Sequence, residues 1–124
     1  FVADATNVPD NIPSDRNMKT VYKNLRQIRA FSRTESIPVA AFLTKCDMLD
    51  PRVVNDLSFL YCSEKVKHKV NMLSLMLDIA ENRVFPVVNY TNNNIASNEM
   101  MVQTLLALKE CIKDIMAGFY SRRN

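Results

Sequence analysis

Glycine is almost absent from this sequence: among 124 residues there is one, Gly118. Loops that cradle phosphate groups need several glycines, because backbone N–H groups must approach the phosphates closely. The glycine-rich phosphate motifs G-x-x-x-x-G-K-S/T and G-x-G-x-x-G therefore cannot occur in these residues. If the protein binds a nucleotide, other residues must hold its phosphates.

Signals for membranes and secretion are missing as well. No stretch approaches the roughly 18 consecutive apolar residues of a membrane-spanning helix, and no basic segment followed by an apolar one indicates a signal peptide. The three cysteines, Cys46, Cys62 and Cys111, are an odd number and widely spaced, unlike a disulfide framework or a zinc site. Unpaired thiols fit a reducing intracellular compartment, and we expect no membrane span.

Charge and histidine content exclude further classes. The net charge is only +3, and the basic residues are spread along the chain, so we expect no nucleic-acid partner. The single histidine, His68, lies between Lys67 and Lys69, and we interpret it as a solvated helix residue rather than a catalytic base. Asp47 and Asp50 alone are too few ligands for a metal ion. We therefore predict no catalytic residue and no metal site in this chain.

Three short apolar runs alternate with longer segments of helical periodicity. Each run is continuous rather than alternating, which is typical of strands buried on both faces of a parallel sheet. The pattern predicts an α/β architecture with about three parallel strands and flanking helices. The runs are Phe1 to Ala3, Ile37 to Leu43 and Val84 to Val88.

The helical segments are predicted from apolar spacing and from capping residues. Asp50-Pro51 indicates the start of a short helix that ends near Leu60, and Ser63 is a predicted cap for the next one. The last helix is expected from about Asn98 to Phe119. The predicted core faces are Met18, Val21, Tyr22, Leu25 and Ile28 in the first helix, Val66, Val70, Leu73, Leu77 and Ala80 in the third, and Val102, Leu105, Leu108, Ile112, Ile115 and Phe119 in the last.

The chain opens at Phe1, without a methionine, in what looks like the middle of a strand. Three strands make half of a typical doubly wound domain, and no repeat or internal linker divides the sequence. We therefore expect residues 1–124 to be a fragment, the carboxyl-terminal portion of a single domain.

One motif suggests a specific chemistry. The second apolar run ends in Thr44-Lys45-Cys46-Asp47, and Asn/Thr-Lys-x-Asp at the end of a buried strand is the guanine-specificity motif of P-loop GTPases. An aspartate carboxylate can accept hydrogen bonds from both N1–H and the amino group of guanine, whereas adenine would leave it unpaired. In an extended segment Lys45 lies on the same side as Asp47 and can cover the purine with its methylene stem, while Cys46 faces away.

The second half of the predicted base site follows the third strand. A backbone N–H of Asn89 can donate to guanine O6, and Tyr90 can line the edge of the base. The competing interpretation is ordinary turn chemistry at Asn89 and Tyr90, with Lys45 and Asp47 as a polar strand end and a turn aspartate. Asp4, at the end of the first strand, is most simply a loop or packing residue.

Together these features predict the carboxyl-terminal half of a P-loop GTPase-like three-layer fold, with the P-loop half absent. The chain resembles the interferon-induced protein 44 family, GTPase-like proteins of the vertebrate antiviral response, over nearly its whole length. The resemblance is carried by Phe1-Val2-Ala3-Asp4-Ala5, Leu43-Thr44-Lys45-Cys46-Asp47, Val87-Val88-Asn89-Tyr90 and the long final helix.

The resemblance implies guanine-nucleotide binding (GTP or GDP), interferon-inducible expression and a cytoplasmic location. Mg²⁺ is expected only through the missing amino-terminal half, and hydrolysis of GTP is left open for the full-length protein, since this chain alone is not an enzyme. The alternative is a protein-interaction module on a degenerate GTPase scaffold. It is suggested by the departure from GTPase sequences at Asn89-Tyr90-Thr91 and by surface helices open to protein partners.

Overall fold

The structure, a computed structural model, describes residues 1–88 and 98–123. Within them, three parallel strands and four α-helices alternate along the chain, which confirms the predicted α/β architecture. The strands are β1 (Val2–Asp4), β2 (Ala41–Thr44) and β3 (Val84–Pro86), and the helices are α1 (Thr20–Thr34), α2 (Arg52–Asn55), α3 (Glu64–Leu77) and α4 (Asn98–Arg123).

The three strands lie side by side in chain order, β1-β2-β3. Asp4 at the end of β1 pairs in register with Thr44 at the end of β2, and Leu43 pairs with Pro86 of β3. The carboxyl ends of all three strands therefore meet at one edge of the sheet. In open parallel sheets this is the edge that binds ligands.

The core lies between one face of the sheet and helices α1 and α3. Alternate strand residues such as Ala3, Ala41 and Leu43 are buried there, and α3 packs against both β3 and α1. The Ser63 hydroxyl accepts a hydrogen bond from the Val66 amide (3.4 Å), which confirms Ser63 as the cap of α3. Most of the predicted α3 core face is buried or half-buried: Val66, Val70, Leu73 and Leu77.

Strands β2 and β3 are shorter than their apolar runs predicted, whereas β1 has the predicted length and is shifted by one residue, from Phe1–Ala3 to Val2–Asp4. β2 begins at Ala41 instead of Ile37, because the ladder begins only where β1 supplies a partner: Phe42 N donates to Phe1 O (2.8 Å). β3 ends at Pro86 rather than Val88, although Val87 N still donates to Leu43 O (2.8 Å).

The helix predicted from Asp50 to Leu60 is interrupted. Asp56 adopts an extended conformation (φ −146°, ψ 104°), and its carboxylate accepts hydrogen bonds from the amide and hydroxyl of Ser58. Such local side-chain bonds compete with helical ones. The segment therefore consists of α2 followed by a 3₁₀ helix, Leu57–Tyr61.

The core faces of α1 and α3 differ from the prediction at their ends. Met18 and Tyr22 are buried, but Val21 and Ile28 are exposed, because a helix packed on one side covers a narrower stripe than the five apolar residues of this segment. Ala80 is exposed and lies beyond α3, which ends at Leu77, before a left-handed Asp78 (φ 53°).

The predicted core face of α4 is wrong. Its described members, Val102, Leu105, Leu108, Ile112 and Ile115, are between 47% and 61% exposed. The helix instead approaches the rest of the chain with a face of small and polar residues: Ala107 is buried, Asp114 pairs with Arg83 (3.0 Å), and Gly118 lies against Pro38. In the described part of the chain no helix is both long enough and apolar enough to cross a membrane.

Candidate functional site

The motif residues lie at the carboxyl edge of the sheet, as predicted. Thr44 is the last residue of β2, and its hydroxyl donates to the carbonyl oxygen of Ala3 (3.1 Å) in the neighbouring strand. This bond joins the ends of β1 and β2 at the point where the chain leaves the sheet. Thr44 thus fixes the start of the motif turn.

The motif is not extended beyond Thr44, which corrects the prediction for Lys45 and Asp47. Lys45 has a left-handed conformation (φ 59°, ψ 33°), and Asp47 lies within a 3₁₀ helix, Cys46–Met48. The turn is closed by Met48 N donating to Lys45 O (3.0 Å). Turn geometry, rather than strand alternation, therefore sets the relative directions of the two side chains.

Lys45 forms an ion pair with Asp4. The Lys45 ammonium donates to Asp4 Oδ2 (2.6 Å), and Asp4 Oδ1 accepts from the amide (2.9 Å) and hydroxyl (2.6 Å) of Thr6. The hydrogen bond from Lys45, with those from Thr6, lowers the pKa of Asp4 to about 2. Sequence reasoning missed this role of Asp4, and the available signal was its position at a strand end beside the motif.

Cys46 faces the interior, which the prediction that it faces away from the base did not specify. It is fully buried, its thiol lies 3.2 Å from Leu43 O, and its amide donates to Val87 O (3.4 Å). Burial raises the pKa of this thiol to about 12, so it is an inert packing group. The bond to Val87 ties the motif turn to the segment that follows β3.

Asp47 has a carboxylate with no hydrogen bond or ion pair among residues 1–88 and 98–123. It is half-buried in the turn after β2, and the other two aspartates at this end of the sheet, Asp4 and Asp50, have occupied oxygens. Asp4 binds Lys45 and Thr6, and Asp50 binds groups in two other elements. Of these three aspartates, Asp47 is the one whose carboxylate has no partner within residues 1–88 and 98–123, and it can accept hydrogen bonds from a ligand.

Asp50, which follows the motif turn, binds Arg52 and Ser63. Its carboxylate accepts two bonds from the Arg52 guanidinium (2.9 and 2.8 Å), one from the Arg52 amide (3.2 Å) and one from the Ser63 hydroxyl (2.8 Å). The hydrogen bonds from Arg52, and then that from Ser63, hold the pKa of Asp50 well below its usual range. The bond from the Arg52 amide is of the kind predicted for a cap, but the cap residue of α2 is Pro51, one residue later than the predicted Asp50. The link to Ser63, which joins α2 to α3, was not predicted.

Helix α3 also anchors the loop that follows β1. The Lys69 ammonium donates to the carbonyl of Val8 and to Asp10 Oδ1 (2.7 Å for the latter), and His68 Nε2 lies 2.8 Å from Asp10 O. His68 is exposed on its helix, in agreement with the prediction, but Lys69 is buried, because the loop folds over its ammonium group.

The other predicted ligand residues, Asn89 and Tyr90, lie outside the described residues. The chain leading to them is buried at Val87 and Val88, beside the motif turn. No cluster of three or more histidine, cysteine, aspartate or glutamate side chains that could hold a metal ion occurs within 1–88 and 98–123.

Comparisons with protein-family models, with curated proteins and with solved structures found no match for this chain. The function is therefore argued from the site itself.

Proposed function

We propose that this chain is the base-recognition part of a guanine-nucleotide-binding domain, with Thr44, Lys45 and Asp47 at the base. The observation that carries the proposal is the half-buried Asp47 carboxylate, which has no partner among the described residues and stands at the ligand-binding edge of a parallel sheet. A carboxylate left unpaired in such a place is suited to accept hydrogen bonds from a ligand.

Guanine offers the complementary pair of donors, N1–H and the exocyclic amino group. Adenine presents an unprotonated ring nitrogen at the equivalent place, so it would desolvate Asp47 without satisfying it. A site that is built to bind a pair of donors strongly rejects a ligand that lacks this pair. Lys45, which is held by Asp4, supplies a methylene stem suited to cover one face of the purine.

The rest of the nucleotide would be held by residues outside these 124. The chain has one glycine, which lies in α4, so it cannot form a glycine-rich phosphate loop. The proposal therefore assigns the phosphates, Mg²⁺ and any hydrolysis of GTP to other parts of a P-loop GTPase-like domain. With the resemblance to the interferon-induced protein 44 family, it extends to a cytoplasmic role in the antiviral response.

The test is base selectivity, measured on the longest polypeptide that carries these residues. We expect Asp47→Asn to abolish the preference for GTP over ATP and to improve binding of xanthosine triphosphate, because an amide can donate to the carbonyl that replaces the guanine amino group. Competition with a fluorescent guanine nucleotide measures all three ligands. Asp56→Asn, at an exposed turn where an asparagine can still accept from Ser58, is the matched control. An unchanged preference in Asp47→Asn contradicts the proposal.

A second candidate is a protein-interaction module without nucleotide turnover, and the exposed apolar face of α4 favours it. Apolar faces of this kind often mark contacts with other protein surfaces. Equal and weak affinity for GTP and ATP in the wild-type polypeptide, unaffected by Asp47→Asn, would support this candidate over the first.

A further inference from the structure

Asp4 and Lys45 are 41 positions apart in sequence and meet only because β1 and β2 are paired in register, Asp4 beside Thr44. Asp4 is held from both sides: Thr6 bonds to Oδ1, and Lys45 bonds to Oδ2. The Asp4 carboxylate therefore has a fixed orientation, and Oδ2 is the oxygen that binds the Lys45 ammonium.

The backbone at Lys45 is unusual. Three residues other than glycine have positive φ in the described chain: Ser36, Lys45 and Asp78. Ser36 and Asp78 follow the ends of α1 and α3, where a left-handed residue commonly terminates a helix. Lys45 instead ends a strand, in a conformation that is costly for a residue with a β-carbon. Such strain persists where surrounding contacts impose it, and it concentrates at functional sites.

The ion pair contributes little to stability, because the Lys45 side chain is 53% exposed and exposed pairs are screened by water. What the pair does is remove freedom from a long side chain. A lysine without a partner samples many rotamers, and ordering it upon binding weakens the affinity for a ligand.

We propose that Asp4 is a positioning residue of the base site, which holds the Lys45 side chain in one conformation so that its methylene stem can cover the purine that Asp47 selects. This inference rests on the proposed function. It assigns separate roles to the two acids: Asp47 selects the base by hydrogen bonding, whereas Asp4 acts through Lys45 on a contact that any purine can make.

The two roles predict different results. Asp4→Asn keeps a side-chain oxygen that can accept from Thr6 but loses the charge that holds Lys45. We expect GDP and ADP to bind about tenfold more weakly to this variant, the cost of ordering a freed lysine, with their ratio unchanged. Lys45→Met should produce a similar loss, and the double variant should bind no more weakly than either single one, because both changes break one interaction.

The experiment is a double-mutant cycle by calorimetry on the longest polypeptide that carries these residues, with the melting temperature of every variant. Asp10→Asn is the matched control, since Asp10 is also paired with a lysine, Lys69, in the loop after β1. We expect Asp10→Asn to bind like the wild type, and Asp4→Asn to melt like the wild type.

Wild-type affinity in Asp4→Asn would overturn the inference, as would additive losses in the double variant. A fall in melting temperature larger than that of Asp10→Asn would also overturn it, because Asp4 would then be structural. Asp47→Asn tests the proposed function separately from the role of Asp4. If this variant keeps the guanine preference, the proposed function fails whatever the result for Asp4→Asn. If the wild-type polypeptide binds no nucleotide, both proposals fail.

Discussion

Helices α3 and α4 carry similar apolar patterns, but the apolar face of α3 is buried and that of α4 is exposed. In α3, Leu73 and Leu77 are 0% and 1% exposed, because the helix lies between β3 and α1. In α4, Leu108 and Ile112 are 47% and 51% exposed. Both sequences form helices. The difference shows that apolar spacing establishes that a helix has a face to bury, whereas the neighbouring elements decide whether that face is covered.

The contacts that α4 does make explain its orientation. Ala107 and Gly118 have small side chains, so the helix can approach the segment before β2 closely, with Gly118 beside Pro38. The ion pair between Asp114 and Arg83 (3.0 Å) lies on the same face. Close approach and one ion pair therefore orient the helix with its larger apolar residues outward.

The largest expected effect compares one leucine in each helix. Leu73→Ala should lower the free energy of unfolding by about 3 kcal/mol, since it removes a fully buried side chain and leaves a cavity. Leu108→Ala, which is half-exposed, should cost less than about 1 kcal/mol. Urea unfolding followed by circular dichroism measures both. Equal losses would show that α4 is packed as tightly as α3.

An intermediate effect is expected at the charged contacts of the two helices. Asp50 binds Ser63, the cap of α3, whereas Asp114 binds Arg83 from α4 at a partly exposed position. Asp50→Asn should lower the urea midpoint at pH 7, and Asp114→Asn should leave it nearly unchanged, because partly exposed ion pairs contribute little.

The Asp50 effect should depend on pH in a definite direction. The pKa of Asp50 is held below its usual range in the folded protein, by Arg52 first and Ser63 second. Its stabilisation is therefore present above the unfolded pKa of about 3.9 and is lost as pH falls towards the folded value. The difference in midpoint between wild type and Asp50→Asn should be largest near neutral pH and should narrow below about pH 4. A constant difference down to pH 2 contradicts this assignment.

The smallest expected effect is a gain in stability. A β-carbon added at Gly118 would lie 3.7 Å from Cδ and Cγ of Pro38, an ordinary van der Waals distance. Because alanine favours the helix over glycine, Gly118→Ala should stabilise the chain by about 0.5–1 kcal/mol. Thermal unfolding measures the change. A loss of stability would mean that α4 approaches Pro38 more closely than the structure shows.

Much of the fold could be predicted from local patterns. Continuous apolar runs predicted the three parallel strands. Ser63 was predicted as a cap, and Asp50 was placed within one residue of the cap of α2, because capping depends on residues two or three positions apart. Helical periodicity could not predict the interruption at Asp56, because two hydrogen bonds from Ser58 to the Asp56 carboxylate stabilise it. The lengths of β2 and β3 were overestimated, because a strand extends only as far as a neighbouring strand pairs with it.

Some features of the candidate site could likewise be predicted from the sequence, and others could not. The position of Thr44, Lys45 and Asp47 at a strand end was predicted, whereas the burial of Cys46 was not. The left-handed turn at Lys45 was not, because left-handed backbone is rare outside glycine, asparagine and aspartate.

By itself, then, the sequence determined the alternation of strands and helices, the place of the motif at the end of β2 and the absence of a phosphate loop. These follow from composition and from residues near one another in the chain. The tertiary structure decided that Lys45 pairs with Asp4, that Asp50 joins α2 to α3 and that α4 turns its apolar face outward. Each of these depends on which distant residues come within a few ångströms, and only the packing of the elements determines that.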